Sequence, residues 1–315
     1  GCDAGGVGDE QGRVAGVCGG LGVSNELGID EAEETEGRRW FFFPTTSFSC
    51  SHELALFVRD FHSSVEYFAY MGQLAHAADQ VKKIARDALR DAKDDRKSDE
   101  KDEASAIKKY GRFGSLSVRH ITNVTVDAFL WYISNIAQRV LIKRPQMLKT
   151  KEQVRIDEIV EFSTKRDLVR FLVDRKVSRL AYGGLQEIED YLSDTFGLSL
   201  FSDSLQRQQV QFFVEVRNIN VHNRSKANSI FLSRTSGYRE VECVEGGAVM
   251  LRLKVFDLCE ALMIAAMKFD HECCAKFKIA RKSISSHIDN EEIAKEIDFH
   301  HKMHMRAALH GLKRT

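Results

Sequence analysis

An all-α fold is predicted by three features: only 2 prolines interrupt 315 residues, apolar side chains recur every three or four positions, and no strand-helix-strand alternation is visible. The expected architecture is an antiparallel four-helix bundle, with one additional N-terminal amphipathic helix and a disordered Gly-rich N-terminus. A hydrophobic content of 43% is enough to fill a core.

Residues 1–50 form the disordered segment, because a Gly-rich, acidic stretch with few large apolar side chains cannot offset its ordering entropy. Its glycines match neither a dinucleotide fingerprint nor a P-loop. Trp40, Phe41, Phe42 and Phe43 before Pro44 read as packing for the first helix. Residues 51–114 then carry an amphipathic helix, with Phe57, Phe61, Val65, Phe68, Ala75, Ala78 and Leu89 in register, followed by a charged linker from Arg90 to Glu103.

The bundle is expected over 115–278. Its first helix carries Val126, Phe129, Leu130, Ile133, Ile136 and Val140, with Asp127 in the first turn and Pro145 as the stop. Ser163 or Thr164 caps the second, and Gly183-Gly184 breaks the chain. A short helix closes at Gly197. Asp203 or Ser204 starts a helix with Leu205, Phe212, Val216 and Ile219 on one face. Ser233 to Met250 reads as a loop, in which the weak alternation of Tyr238 to Val244 admits a small hairpin turning at Gly246-Gly247. An apolar helix spans about Val249 to Phe277, and 279–315 is a basic, His-rich tail.

Lysine plus arginine (46) balance aspartate plus glutamate (46), so any nucleic-acid contact has to come from a local patch, and DNA binding is not expected. The seven cysteines lack the paired spacing of a zinc site and fit reduced thiols. With no leader-like block and no long apolar span, a cytoplasmic protein without membrane contact is expected. His300, His301, His304 and His310 lack the acid and third ligand of a zinc enzyme, so neither metal nor cofactor is expected. Lys143, Arg144 and Lys149 form a small basic patch around Pro145 that serves equally as a solvated loop or a phosphate contact.

One stretch concentrates polar side chains at the end of a core helix: EVRNINVHNR, residues 215–224. On an ideal helix Glu215, Asn218 and His222 share one flank, while Arg217 and Asn220 share the other, so Arg217 and His222 stand roughly 140° apart. Two arrangements would bring them together: the helix ends near Asn220 and folds back, or two copies of the chain meet across a two-fold axis.

Arg217, Asn218, His222, Asn223 and Arg224 form an R-N-x-x-x-H-N-R pattern that resembles the signature of the HEPN superfamily, closest to its RiboL-PSP-HEPN branch. The resemblance covers about Val124 to Met267 and includes the FLSR stretch at Phe231 to Arg234. It implies a helical bundle, a homodimer whose two motifs share a cleft, and metal-independent cleavage of RNA. In that reading His222 takes the proton of a 2′-hydroxyl, Arg217 steadies the phosphate, and Asn218 orients one of them. Asn223, Arg224 and Lys226 then contact RNA. Arg224 stands where some relatives carry a modifiable Tyr, which argues against that subtype. Other relatives keep the motif as RNA-binding or assembly modules without cleavage, in stress or phage defence among other settings, and that is the alternative here.

Overall fold

Ser51 begins the first helix because its side chain accepts the backbone N–H of Leu54 (3.1 Å), the local bond that caps an α-helix. The computed structural model describes residues 44–91, 106–148, 155–251, 254–288 and, in the tail, 291, 293–295 and 297–298. Of the segment expected to be disordered, 1–50, residues 44–50 are described and form a turn and a strand held by later parts of the chain, while its remainder, the aromatic run at 40–43, the linker after Asp91, Lys149 and the histidines from 300 onward lie outside them. Among the described residues the protein is mainly helical, with one two-stranded sheet. No helix there is long and apolar enough to cross a membrane.

Helix α1 (His52–Asp91) pairs antiparallel with α2 (Ala106–Lys143). Four contacts establish the direction: Arg139 bonds both carboxylate oxygens of Glu53 (3.0 and 2.9 Å), Phe57 meets Phe129, Tyr67 meets His120, and Asp79 accepts the N–H of Ala106 (2.6 Å). Leu54, Phe57, Val58 and Phe61 of α1 and Ile121, Val126, Phe129, Tyr132 and Ile136 of α2 are buried together in the core. The boundary expected at residue 115 thus falls inside α2. Asp127, expected in a first helical turn, sits in the middle of this helix.

Three more helices lie along α2. Short α3 (Ile156–Val160) precedes α4 (Lys165–Gly183), whose cap is Thr164: its side chain accepts the N–H of Asp167. Gln138 bonds Asp174 across the α2/α4 contact. The chain leaves α4 through Gly184 (φ 88°) into α5 (Leu185–Tyr191), which widens into a π turn over Leu192–Phe196. Gly197 follows at φ 60°, a left-handed position that glycine occupies without steric cost. Helix α6 (Ser204–His222) runs antiparallel to α2, and α7 (Ser229–Thr235) is a short turn capped by Asn228.

Helix α8 (Lys254–Phe277) is buried on most of its surface. It runs parallel to α2, since Cys259 meets Thr125 and Ala266 accepts the hydroxyl of Tyr132 seven residues on (3.2 Å). Strand β1 (Ser49–Cys50) pairs antiparallel with β2 (Lys282–Ser283). Asp298 accepts the N–H and hydroxyl of Thr46 (3.1 and 2.7 Å), so the first part of the expected tail packs beside residues 46–50. From Ser236 to Met250 the chain is a loop as expected, without the small hairpin over Tyr238 to Val244. Instead Tyr238 stacks on Phe212, and the Gly246-Gly247 turn pairs with residues 225–227. The ring and the two glycines find partners distant in sequence, which local alternation does not encode.

Candidate functional site at the end of helix α6

Helix α6 is fixed at its start by a reciprocal cap: Asp203 accepts the N–H of Gln206 (2.8 Å), and Gln206 accepts the N–H of Ser202 (2.8 Å). Val210, Phe212, Phe213, Val216 and Ile219 bury its inner face. The helix stays regular through His222, where the N–H of Asn223 still reaches the carbonyl of Ile219 (2.8 Å). The fold-back near Asn220 is therefore absent, and α6 keeps Arg217 and His222 on different flanks.

The two flanks face different neighbours. On one, Arg217 pairs with Asp127 of α2 (2.7 Å) and Asn220 donates to Asn123 of α2 (3.3 Å). On the other, Glu215 is buried and accepts from Gln211 (3.0 Å), Asn218 (3.4 Å) and Arg234 of α7 (3.2 Å). Asn218 also accepts from Arg217 (3.3 Å). One polar chain, Asp127, Arg217, Asn218, Glu215, Arg234, thus crosses α6 from α2 to α7. Its two carboxylates and two guanidiniums neutralise each other, and Asn218 joins the halves. The Nε of Arg217 and the Oδ1 of Asn220 are buried without a hydrogen-bond partner.

Beyond His222 the backbone turns into the left-handed region at two consecutive non-glycine residues, Arg224 (φ 51°) and Ser225 (φ 64°). Each such residue costs roughly 1–2 kcal/mol, so the surroundings must hold them there. They do: Ser225 N–H bonds Ile219 O (2.9 Å), Val249 N–H bonds Ser225 O (3.0 Å), Ala227 N–H bonds Gly247 O (2.9 Å), and the Asn223 side chain donates to Lys226 O (2.6 Å). The Ser225 hydroxyl is buried without a partner. This pinned turn leaves His222, Arg224 and Lys226 exposed, with Asn223 half-buried among them.

The six residues picked from the sequence therefore divide. Arg217 and Asn218 lie within the polar chain; His222, Arg224 and Lys226 face solvent past the helix end. Asp127, Glu215 and Arg234 are not among the site residues picked from the sequence, because each acts through a partner from another helix. The arginine of FLSR was the available clue to the last of them.

Elsewhere, burial lifts the thiols of Cys50, Cys259, Cys273 and Cys274 far above their ordinary range, which leaves them unreactive. Among the described residues no three His, Cys, Asp or Glu side chains are grouped to hold a metal ion. Comparison with protein-family models, with curated proteins and with solved structures finds no match to the chain.

Proposed function

We propose that the end of α6 is an RNA site, and that RNA is cleaved there when two copies of the chain supply Arg217 and His222 to one centre. The observation that carries the reading is the pinned left-handed turn, which holds His222, Arg224 and Lys226 together at the surface at a conformational cost. Strain of this kind persists where a site requires it. Arg224 and Lys226 offer phosphate contacts, and the resemblance to HEPN proteins supports the same assignment.

In the proposed reaction His222 removes the proton of a ribose 2′-hydroxyl, whose oxygen attacks the adjacent phosphorus. The P–O5′ bond breaks, giving a 2′,3′-cyclic phosphate and a 5′-hydroxyl that gains a proton from the acid form of a histidine or from water. Arg217 of the other copy stabilises the charge on the phosphate oxygens. Asp127 holds that guanidinium in place beforehand.

The test is cleavage of a labelled RNA in EDTA. Activity is expected to fall about a hundredfold or more in His222→Ala and in Arg217→Ala. Mixing the two variants is expected to restore about a quarter of wild-type activity, since half of the dimers are mixed and each has one intact centre of two. Unchanged cleavage in both single variants refutes the proposal. A second reading, RNA binding without cleavage, is favoured by the Arg217–Asp127 pair, which already occupies the guanidinium. It predicts salt-sensitive binding, weakened by Arg224→Ala and Lys226→Ala, with no turnover.

A further inference from the structure

The distal half of α1 carries a second apolar stripe that α2 does not cover. The inward stripe comprises Val65, Phe68, Gly72, Ala75 and Asp79, all at most half-exposed, where Phe68 meets Phe256 of α8 and Asp79 bonds Ala106 of α2. Tyr70, Leu74, Ala77, Val81 and Ile84 lie roughly 180° around the helix from it, with Tyr67, whose ring also meets His120 of α2, at the edge of the stripe. Every one is exposed, the large side chains between 46% (Leu74) and 67% (Ile84). Their spacing alternates three and four, the heptad repeat of a coiled-coil seam with Tyr67, Leu74 and Val81 at a and Tyr70, Ala77 and Ile84 at d. Such a seam on a lone helix leaves its knobs without holes to enter.

We infer that this seam is a dimerisation surface on which the α1 arms of two copies of the chain pack as a coiled coil about 27 Å long. Three observations select a second copy as the occupant. The positions flanking the seam within 67–84 are Met71 and Ala78 at e and Gln73 and Gln80 at g, so no like charges oppose an identical helix. The charged residues of this stretch, Asp79, Lys82 and Lys83, fall at b, c and f, away from a partner. The exposed apolar surface of the seam with Met71 is on the order of 700 Å² per copy, close to the ~800 Å² per partner of a standard interface and larger than monomers usually leave bare. No residue of the α6 site takes part in the seam, although the proposed RNA centre also requires two copies of the chain.

Sedimentation of the full chain across concentrations tests it. The wild type is expected to be a dimer at micromolar concentration, and Leu74→Glu with Ile84→Glu is expected to be a monomer with unchanged helical circular dichroism. Both side chains are exposed in the single chain, so neither change disturbs its core. The g-position variant Gln80→Lys, which sets a like-charged side chain at the seam's edge in both copies, is expected to weaken the dimer less. A wild type that stays monomeric, because another part of the chain or a different protein covers the seam, overturns the inference. So does a dimer that survives the double variant. His222→Ala is expected to leave the dimer intact while removing cleavage, which separates failure here from failure of the proposed function.

Discussion

Among the described residues two acidic side chains are buried, Asp270 of α8 and Glu215 of α6, and they are satisfied in opposite ways. Asp270 accepts the N–H (3.0 Å) and the hydroxyl of Ser51 and lies near the thiol of Cys274 (3.7 Å), all uncharged groups. Glu215 touches the guanidinium of Arg234 and, through Asn218, joins Arg217 and Asp127. Desolvation dominates at Asp270 and raises its carboxyl above the ordinary range, although the bonds from Ser51 and the charge of Arg281 oppose it. The first carboxylate fastens α8 to the start of α1. The second belongs to a bridge that ends at the surface, beside the candidate site.

The largest effect expected from breaking this contrast is at Asp270. Asp270→Ala strands the buried N–H of Ser51 and should cost about 3 kcal/mol, measured by denaturant unfolding. Glu215→Ala should cost less, about 1–2 kcal/mol, because Gln211, Asn218 and Arg234 can turn to water. A variant as damaging as Asp270→Ala would show that the bridge is part of the core.

The contrast also predicts a pH dependence. The folded protein holds the Asp270 proton more tightly than the unfolded chain, so the stability this group contributes is complete below its unfolded value of about 3.9 and is lost as pH rises through the raised folded value. Asp270→Asn, which keeps an acceptor for Ser51, should therefore gain on the wild type as pH rises through that window. Parallel stability profiles for the two proteins would contradict the assignment. Smallest of all, Arg234→Ala should change stability by less than about 1 kcal/mol, since its pair with Glu215 is exposed on the arginine side.

The helices were legible because their signals are local. Apolar spacing marked α1, α2, α6 and α8, and the caps Thr164 and Asp203 with the turn at Gly197 stood where short-range chemistry placed them. The early start of α2 was not, because Phe113 and Leu116 there are exposed and show no clean buried stripe. Within the site, the separation of Arg217 from His222 followed from helical period alone. The partners Asp127 and Arg234 did not, since a charge on a helix surface gives no sign of which other helix will lie against it. The bond between Ser51 and Asp270 spans 219 positions, beyond any pattern a local window can hold.

That span bears on how the molecule is made. The α1/α2 pair can form as soon as both helices have left the ribosome, but the Asp270 anchor and the bond from Thr46 to Asp298, 252 residues apart, cannot. At roughly 5–20 residues per second the latter waits about 13–50 s after Thr46 is added. During synthesis the start of α1 therefore lacks its far-end partners, and the segment ahead of it docks last. Tying residues 46–51 to Asp270 and Asp298 makes synthesis through Asp298 the step that closes this clasp, so a product truncated before Asp270 would keep a helical hairpin without it.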